Sequence, residues 1–109
     1  MDTIRKSQSP NNPMAAIMKA MGHPARIAML HYLMINGPST CQDIVGQFSY
    51  SQSTVSGHLQ KLKDGKLIGM KSVGTSSVYT INRETIEQLS KDMSDIFNLR
   101  SEKKQMSLF

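Results

Sequence analysis

The sequence predicts a mainly helical domain that carries one β-hairpin, in the order α-α-α-α-β-β-α. From residue 13 to about residue 64, apolar side chains recur every three or four residues, which is the helical period. Between residues 67 and 81 the pattern becomes extended and is interrupted by the turn-forming sequence GTSS. The helical period then returns. With 109 residues, 39% of them hydrophobic, the chain has room for one small globular domain.

Two helices are predicted before residue 37. Asn12 and Pro13 fit an N-cap and a first helical residue, and Gly22 is expected to stop this helix. Its apolar positions are Met14, Ile17, Met18 and Met21. Pro24 begins the second helix, and Gly37 is suited to a left-handed cap at its end. The predicted apolar side of the second helix consists of Ile27, Leu30, Leu33 and Met34, with His31 half-buried among them.

The third and fourth helices follow closely. Ser39 is predicted to cap the third helix, with Gln42 completing a capping box. Its apolar positions are Cys41, Ile44, Val45 and Phe48. Ser51 is predicted to cap the fourth helix, which runs to about Asp64, and Gly65 stands where it ends. The buried stripe of this helix is Val55, Leu59 and Leu62.

The hairpin consists of LIGMKSV, the turn GTSS and VYTI, in which Gly74 favours the turn. A last helix is predicted from about Arg83 to Arg100. Its apolar positions are Ile86, Leu89, Met93, Ile96 and Phe97. Residues 1–12 are expected to form a flexible arm and residues 101–109 a frayed tail, which leaves one domain over residues 13–100.

Two short helices joined by a tight turn and followed by a hairpin are the plan of a winged helix-turn-helix. In that plan the stripe docks the fourth helix on the core, and the opposite face is free. Hydroxyl and amide side chains at a helix N-terminus reach base edges and phosphates in a major groove, helped by the helix dipole. The candidate DNA contacts are Ser51, Gln52, Ser53, Thr54, Ser56, Gly57, His58, Gln60, Lys61 and Lys63, with Lys71 and Thr75 from the wing.

The charge distribution supports a nucleic-acid partner. The net charge is +5, and residues 51–71 hold four lysines against Asp64 alone, a local +3. Residues 72–109 hold five basic and five acidic groups, which cancel. A concentrated basic segment is typical of proteins that bind a polyanion, although lysines alone would also fit a solvated helix face.

Other classes of protein fit the sequence less well. No apolar run reaches the roughly 18 residues of a membrane helix, and one cysteine cannot form an internal disulfide, so we expect a cytoplasmic protein. Ser53, Ser56 and His58 lack an oriented acid and an oxyanion device, so no enzyme activity is predicted. A winged helix that mainly binds protein would present an apolar recognition face, and this one is polar.

Three segments together resemble the ArsR/SmtB family of transcriptional repressors: MKAMGHPARIAMLHYL, SQSTVSGHLQKLKDGKLI and VGTSSVYTI. The resemblance extends from roughly residue 14 to residue 100. It implies a homodimeric repressor that binds an inverted-repeat operator, with DNA contacts from Gln52, Ser53, Ser56 and Gly57 or His58.

A homodimer also agrees with the apolar residues at both ends of the domain, which exceed what one small core requires. The last helix carries a seam of apolar residues at steps of three and four, flanked by charged side chains. The predicted dimer interface consists of Met14, Ile17, Met18, Met21, Ile86, Leu89, Met93, Ile96 and Phe97.

The chain departs from the metal-sensing members of that family. Their Cys-x-Cys-Asp motif is replaced by TCQD at residues 40–43, and the last helix contains no histidine. No metal and no cofactor are therefore predicted. The chain also departs from the family in its wing, which is often basic there and is the neutral sequence SVGTSS here. We expect Cys41 to be a buried, inert thiol and His23 to be a turn or cap residue. A metal- or redox-responsive sensor, using His23, His31, Cys41 and Asp43, is the alternative.

Overall fold

The computed structural model describes residues 13–98 and contains five helices and three strands there. In chain order these are α1 (Pro13–Met21), α2 (Pro24–Asn36), β1 (Ser39–Thr40), α3 (Cys41–Val45), α4 (Gln52–Asp64), β2 (Ile68–Val73), β3 (Ser76–Ile81) and α5 (Arg83–Ile96). This is the predicted winged helix-turn-helix order with the addition of the short strand β1. The predicted N-cap Asn12 lies outside the described residues.

Side-chain caps define where the helices begin. His23 Nδ1 accepts a hydrogen bond from the Ala25 amide at 3.0 Å, so this imidazole caps α2, with Pro24 as the first helical residue. Ser51 Oγ accepts from the Thr54 amide at 3.2 Å and caps α4. Each cap satisfies one of the amide donors that a helix leaves unpaired at its N-terminus. The cap roles predicted for His23 and Ser51 are confirmed.

The predicted start of α3 was wrong by one residue. Thr40, not Ser39, is the N-cap: its Oγ1 accepts from the Asp43 amide at 3.1 Å, and Asp43 Oδ2 accepts from the Thr40 amide at 3.0 Å. The capping box therefore uses Asp43 instead of Gln42. Ser39 is not free to act as the cap because it is buried in β1, where its hydroxyl donates to the Gly37 carbonyl at 2.9 Å.

The three strands form one antiparallel sheet in the order β1-β3-β2. In the hairpin, Ile68 pairs with Ile81 and Val73 with Ser76, so Gly74 and Thr75 form the turn. Gly74 has a φ of 63°, which explains the glycine. On its other edge, β3 pairs with β1, placing Ser39 opposite Tyr79. The wing is thereby attached directly to the segment that precedes α3.

The core is one cluster of side chains from α2, α3, α4 and the start of the hairpin. Its buried members are Ala25, Met29, Leu30, Leu33, Ile44, Val55, Leu59, Leu62, Leu67 and Ile68. The predicted stripe of α4 is confirmed, since all three of its residues are fully buried. α4 is thus held by one face, and its opposite face is left open.

The predicted apolar side of α2 was wrong in part. Ile27 is 52% exposed, and His31 and Met34 are also exposed. The buried positions include Ala25, Met29 and Leu33, which are spaced by four and define the face that packs on α4. The three mispredicted residues lie on the other side of the helix. The prediction failed because helical periodicity alone cannot choose between two apolar faces.

The ends of α2, α4 and α5 add detail to the prediction. Gly37 has a positive φ of 77° as expected, but its ψ of −162° is outside the left-handed helical region. After α4 the residue with positive φ is Lys66, at 65°, whereas a Cβ on Gly65 would overlap the Cβ of Ala20 in α1. The prediction that the last helix reaches Arg100 was too long, because the chain leaves the helix after Ile96 and Asn98 has a φ of 56°.

Candidate nucleic-acid interface

The open face of α4 carries most of the polar side chains that the sequence indicated. Ten of the twelve predicted DNA contacts are exposed: Ser51, Gln52, Ser53, Thr54, Ser56, Gly57, Gln60, Lys61, Lys71 and Thr75. The other two, His58 and Lys63, are half-buried. Since the buried stripe fixes the rotation of α4, its N-terminal half presents short polar groups and one open glycine to solvent.

Hydroxyl groups organise the first turn of α4. Besides capping the helix, Ser51 Oγ lies 3.0 Å from Thr54 Oγ1 and 3.2 Å from Ser53 Oγ. Further along, Gln60 Nε2 donates to Asp64 Oδ1 at 2.8 Å, so this amide is engaged toward the C-terminal end of the helix. Gln52 is therefore the long polar side chain of α4 that lies at the N-terminal end of the helix, where the helix dipole is positive.

A polar groove separates α4 from the wing. It has a volume of about 520 Å³ and is lined by Thr40, Cys41, Gln42, Gln52, Ser56, Thr75, Ser76, Ser77 and Tyr79. Hydroxyl and amide groups both donate and accept hydrogen bonds, so the lining suits the phosphates and sugars of a nucleic-acid strand as well as base edges. Gln52 and Ser56 form one wall, and the wing residues form the other.

Sequence reasoning missed part of this groove, namely Thr40, Gln42, Ser76, Ser77 and Tyr79. Thr40 and Tyr79 are brought together by the pairing of β1 with β3, in which Ser39 lies opposite Tyr79. A two-residue strand has no periodic signal of its own. The serines of the turn sequence GTSS were the available indication, because small polar residues at a hairpin tip remain exposed.

Positive charge is concentrated at the C-terminal end of α4, and the wing carries one lysine. Lys61 and Lys63 occupy the last turn, where cations also stabilise the helix dipole. Lys71 in β2 is the only charged residue between Ile68 and Ile81. Any attraction to phosphate on the wing side therefore depends on hydroxyl groups and one lysine.

His58 is engaged within the protein. Its ring lies 4.5 Å from that of His23 and 6.0 Å from that of Tyr50, centroid to centroid, and Arg26 Nη1 lies 3.3 Å from its Nδ1. Burial, followed by the positive charges of His23 and Arg26, lowers the pKa of His58. The lowered pKa favours the uncharged imidazole, and the half-buried ring packs against His23, Arg26 and Tyr50.

The proposed alternative metal ligands do not come together. Residues 13–98 contain no group of three or more His, Cys, Asp or Glu side chains that could hold a metal ion. Cys41 is half-buried in the groove, and burial raises the pKa of its thiol, which favours the protonated, unreactive form. Within the same residues no helix is long and apolar enough to cross a membrane.

The predicted dimer residues fall into three groups. Leu89 is buried, and Ile17, Met21 and Ile86 pack against the core. Met14 and Met93 are half-buried. Met18, Ile96 and Phe97 are 45%, 63% and 61% exposed, respectively. The exposed members therefore lie on α1 and at the end of α5, as large apolar side chains that one chain does not cover.

A capped helix with an open polar face, held by its apolar stripe beside a β-hairpin, defines a winged helix-turn-helix DNA-binding domain. The family model described as a helix-turn-helix domain matches residues 21–69. The chain is 32% identical over 85 residues to the arsenical resistance operon repressor of Bacillus subtilis (strain 168), covering 77% of this chain and 81% of that protein. It is also 30% identical over 82 residues to the transcriptional repressor PagR of Bacillus anthracis, covering 75% of this chain and 82% of that protein.

Solved structures agree with these relatives. The crystal structure of PagR superposes with a TM-score of 0.63, covering 74% of this chain and 92% of that one. The solution structure of the homodimeric winged helix-turn-helix domain of a possible ArsR-family regulator from Mycobacterium bovis has a TM-score of 0.65 at 25% identity, covering 84% of each chain. The chain belongs to the ArsR family of helix-turn-helix proteins and is a DNA-binding transcriptional regulator.

Proposed function

We propose that this regulator is a cytoplasmic, non-enzymatic repressor that binds an inverted-repeat operator as a homodimer. The observation that carries the proposal is the exposed polar N-terminal half of α4, which borders a hydroxyl-lined groove beside the wing. A major groove about 12 Å wide admits such a helix, and its first turns then meet the base edges. Repression would follow from occupation of promoter DNA.

The residues of α4 divide into two roles. Gln52, Ser53 and Ser56 are exposed at the end that enters the groove, so we assign them to base edges and the nearest phosphates. Lys61 and Lys63 lie in the last turn of the helix, where it would pass the DNA backbone, and we assign them to phosphates. Thr75 and Lys71 would contact the flanking backbone from the wing.

Dimerisation is proposed through α1 and α5. Met18, Ile96 and Phe97 supply exposed apolar surface, and the homodimeric relative from Mycobacterium bovis supports an assembly of two chains. Two-fold pairing would set two copies of α4 about one DNA turn apart, roughly 34–36 Å, as the half-sites of an inverted repeat require. Leu89 is already buried in one chain, so its contribution would be to the fold as well as to pairing.

Metal ions and arsenite are not proposed as effectors. Three of the matched relatives are named arsenical resistance operon repressors, but this chain has one cysteine, and residues 13–98 contain no group of three or more His, Cys, Asp or Glu side chains that could hold a metal ion. One thiolate alone makes a weak site for a soft metal, which prefers several thiolates. Zinc, cadmium or arsenite at micromolar concentration should leave DNA affinity unchanged.

Fluorescence anisotropy tests the proposal, using labelled DNA from upstream of the gene for this protein and a shuffled duplex of equal length. We expect at least about a thousandfold higher affinity for the upstream DNA, which is the lower end of the range of specificity ratios of sequence-specific regulators. The expected stoichiometry is one dimer per site. Equal affinity for both duplexes would contradict operator recognition. A tenfold release by a metal or arsenite, abolished in Cys41→Ser, would instead establish the sensor alternative.

A further inference from the structure

One side chain connects three helices of this domain. The guanidinium of Arg26, in α2, donates from Nε to the carbonyl of Ala20 at 2.6 Å and approaches His58 Nδ1 with Nη1 at 3.3 Å. Ala20 lies in the last turn of α1, and His58 lies in the middle of α4. Arg26 therefore links the end of α1 to the helix that carries the DNA contacts.

The protonation state of His58 is determined by this geometry. A guanidinium only donates hydrogen bonds, so Nδ1 of His58 must be the acceptor, and the imidazole must be neutral with its proton on Nε2. The ring of His23, whose Nδ1 accepts from the Ala25 amide, lies 4.5 Å from that of His58 on the same side as the guanidinium. Protonation would replace the Arg26–His58 bond with two facing cations.

The groups around His58 offer little compensation for a second positive charge. His23 and Arg26 face it from the α2 side, and Tyr50 contacts it from the loop before α4. The cleft that Arg26 lines also contains Lys19, Lys61 and Asp64. Asp64, the only carboxylate lining that cleft, already accepts from Gln60.

We propose that Arg26 and His58 form a positioning clamp that holds α4 in the orientation needed to read the operator, and that the clamp closes only while His58 is neutral. This inference rests on the proposed DNA-binding role of α4. Neither residue needs to touch DNA: His58 is half-buried behind the open face, and Arg26 reaches α4 from α2. Sequence-specific binding should therefore weaken in acid, while non-specific binding should not.

The sign of the effect follows from linkage. The pKa of His58 is lowered in the folded protein, so the stabilisation by the neutral form is fully present above the pKa of an unfolded histidine, about 6.5. It is lost as the pH falls below that value. A proton on His58 would also strengthen attraction to phosphates, but this term acts on every sequence alike and cancels in the ratio of operator to shuffled DNA.

The test measures that ratio at pH 7.5 and pH 5.0 at constant salt, with circular dichroism to show that the protein is folded at both. For the wild type, we expect the ratio of operator to shuffled-DNA affinity to fall about three- to tenfold in acid, which corresponds to the net contribution of one hydrogen bond. In Arg26→Met the ratio should already be low at pH 7.5 and should not change with pH. His58→Asn replaces Nδ1 with an oxygen that accepts but does not titrate, so it should keep a high ratio at both pH values.

Matched variants of the other two histidines complete the design. His23→Asn retains a good N-cap, His31→Gln changes an exposed residue, and in both the ratio should still fall in acid. NMR titration of His58 gives a readout without DNA: its pKa should rise in Arg26→Met. A wild-type ratio that is flat with pH, a pH response that survives in His58→Asn, or an unchanged pKa in Arg26→Met would each overturn the clamp. A wild type without operator preference at pH 7.5 would contradict the proposed function instead, and the NMR titration would still decide the clamp.

Discussion

Replacing Gly57 with alanine should stabilise the protein and weaken its binding to the operator. Gly57 lies inside α4, exposed, and a Cβ at this position would meet no atom within 4 Å. Glycine inside a helix costs about 1 kcal/mol relative to alanine, and nothing in the free protein explains that cost. Gly57→Ala should therefore raise the melting temperature by about 4–8 °C at fixed protein concentration.

The effect on DNA has the opposite sign. Gly57 is adjacent to Ser56, which lines the groove, so its bare backbone lies on the surface that we place against DNA. A methyl group there would separate α4 from the bases and lengthen the contacts of its neighbours. The loss of even one good contact weakens affinity by about tenfold, or 1.4 kcal/mol, and a shift of the helix affects several contacts together.

Two measurements on the same preparation decide the matter: thermal unfolding and anisotropy with operator DNA. Ser90→Ala, at an exposed position of α5, is the control, because it should also stabilise a helix slightly without changing DNA binding. If Gly57→Ala is more stable and binds the operator as tightly as the wild type, Gly57 is not in contact with DNA, and our orientation of α4 is wrong.

Four further substitutions test other parts of the structure. Gln52→Ala should cost about 1–3 kcal/mol of binding free energy on the operator and little on shuffled DNA. Lys61→Ala should weaken binding to both DNAs and lower the slope of log affinity against log salt concentration by about one, as measured by anisotropy across salt concentrations. Gly65→Ala should destabilise the fold by about 1–3 kcal/mol in urea unfolding because its Cβ would overlap Ala20, and adding Ala20→Gly should restore part of the loss. Ile96→Glu should leave the chain folded but monomeric by sedimentation, with at least tenfold weaker operator binding, whereas a dimeric Ile96→Glu would refute the proposed interface.

The order of the elements could be predicted because local signals agree with the final packing. Ser51 stands before a stripe of Val55, Leu59 and Leu62, and the structure uses that serine as the cap and buries all three apolar residues. The hairpin was similarly evident from the turn around Gly74. Such signals act over a few residues, so they survive folding unless a distant contact overrides them.

A distant contact did override the local signal at Ser39. Its sequence suits a helix cap, but pairing with Tyr79, 40 positions later, draws it into β1 and moves the cap to Thr40. The choice of face in α2 failed for a related reason: Ile27 and Met34 are apolar, yet the core is built on the opposite side. Pairings and faces depend on tertiary packing, for which a single sequence gives no direct signal.

The candidate site illustrates the same limit in functional terms. Gln52 and Ser56 were identified because helical periodicity places them opposite a buried stripe. The groove they border lies between α4 and the wing, and the proposed clamp joins Arg26 to His58, 32 positions apart in the chain. His58 was grouped with the DNA contacts because the family resemblance implies a contact from Gly57 or His58. Its contacts with His23 and Arg26 support our proposal that His58 orients the helix while neighbouring residues contact the DNA.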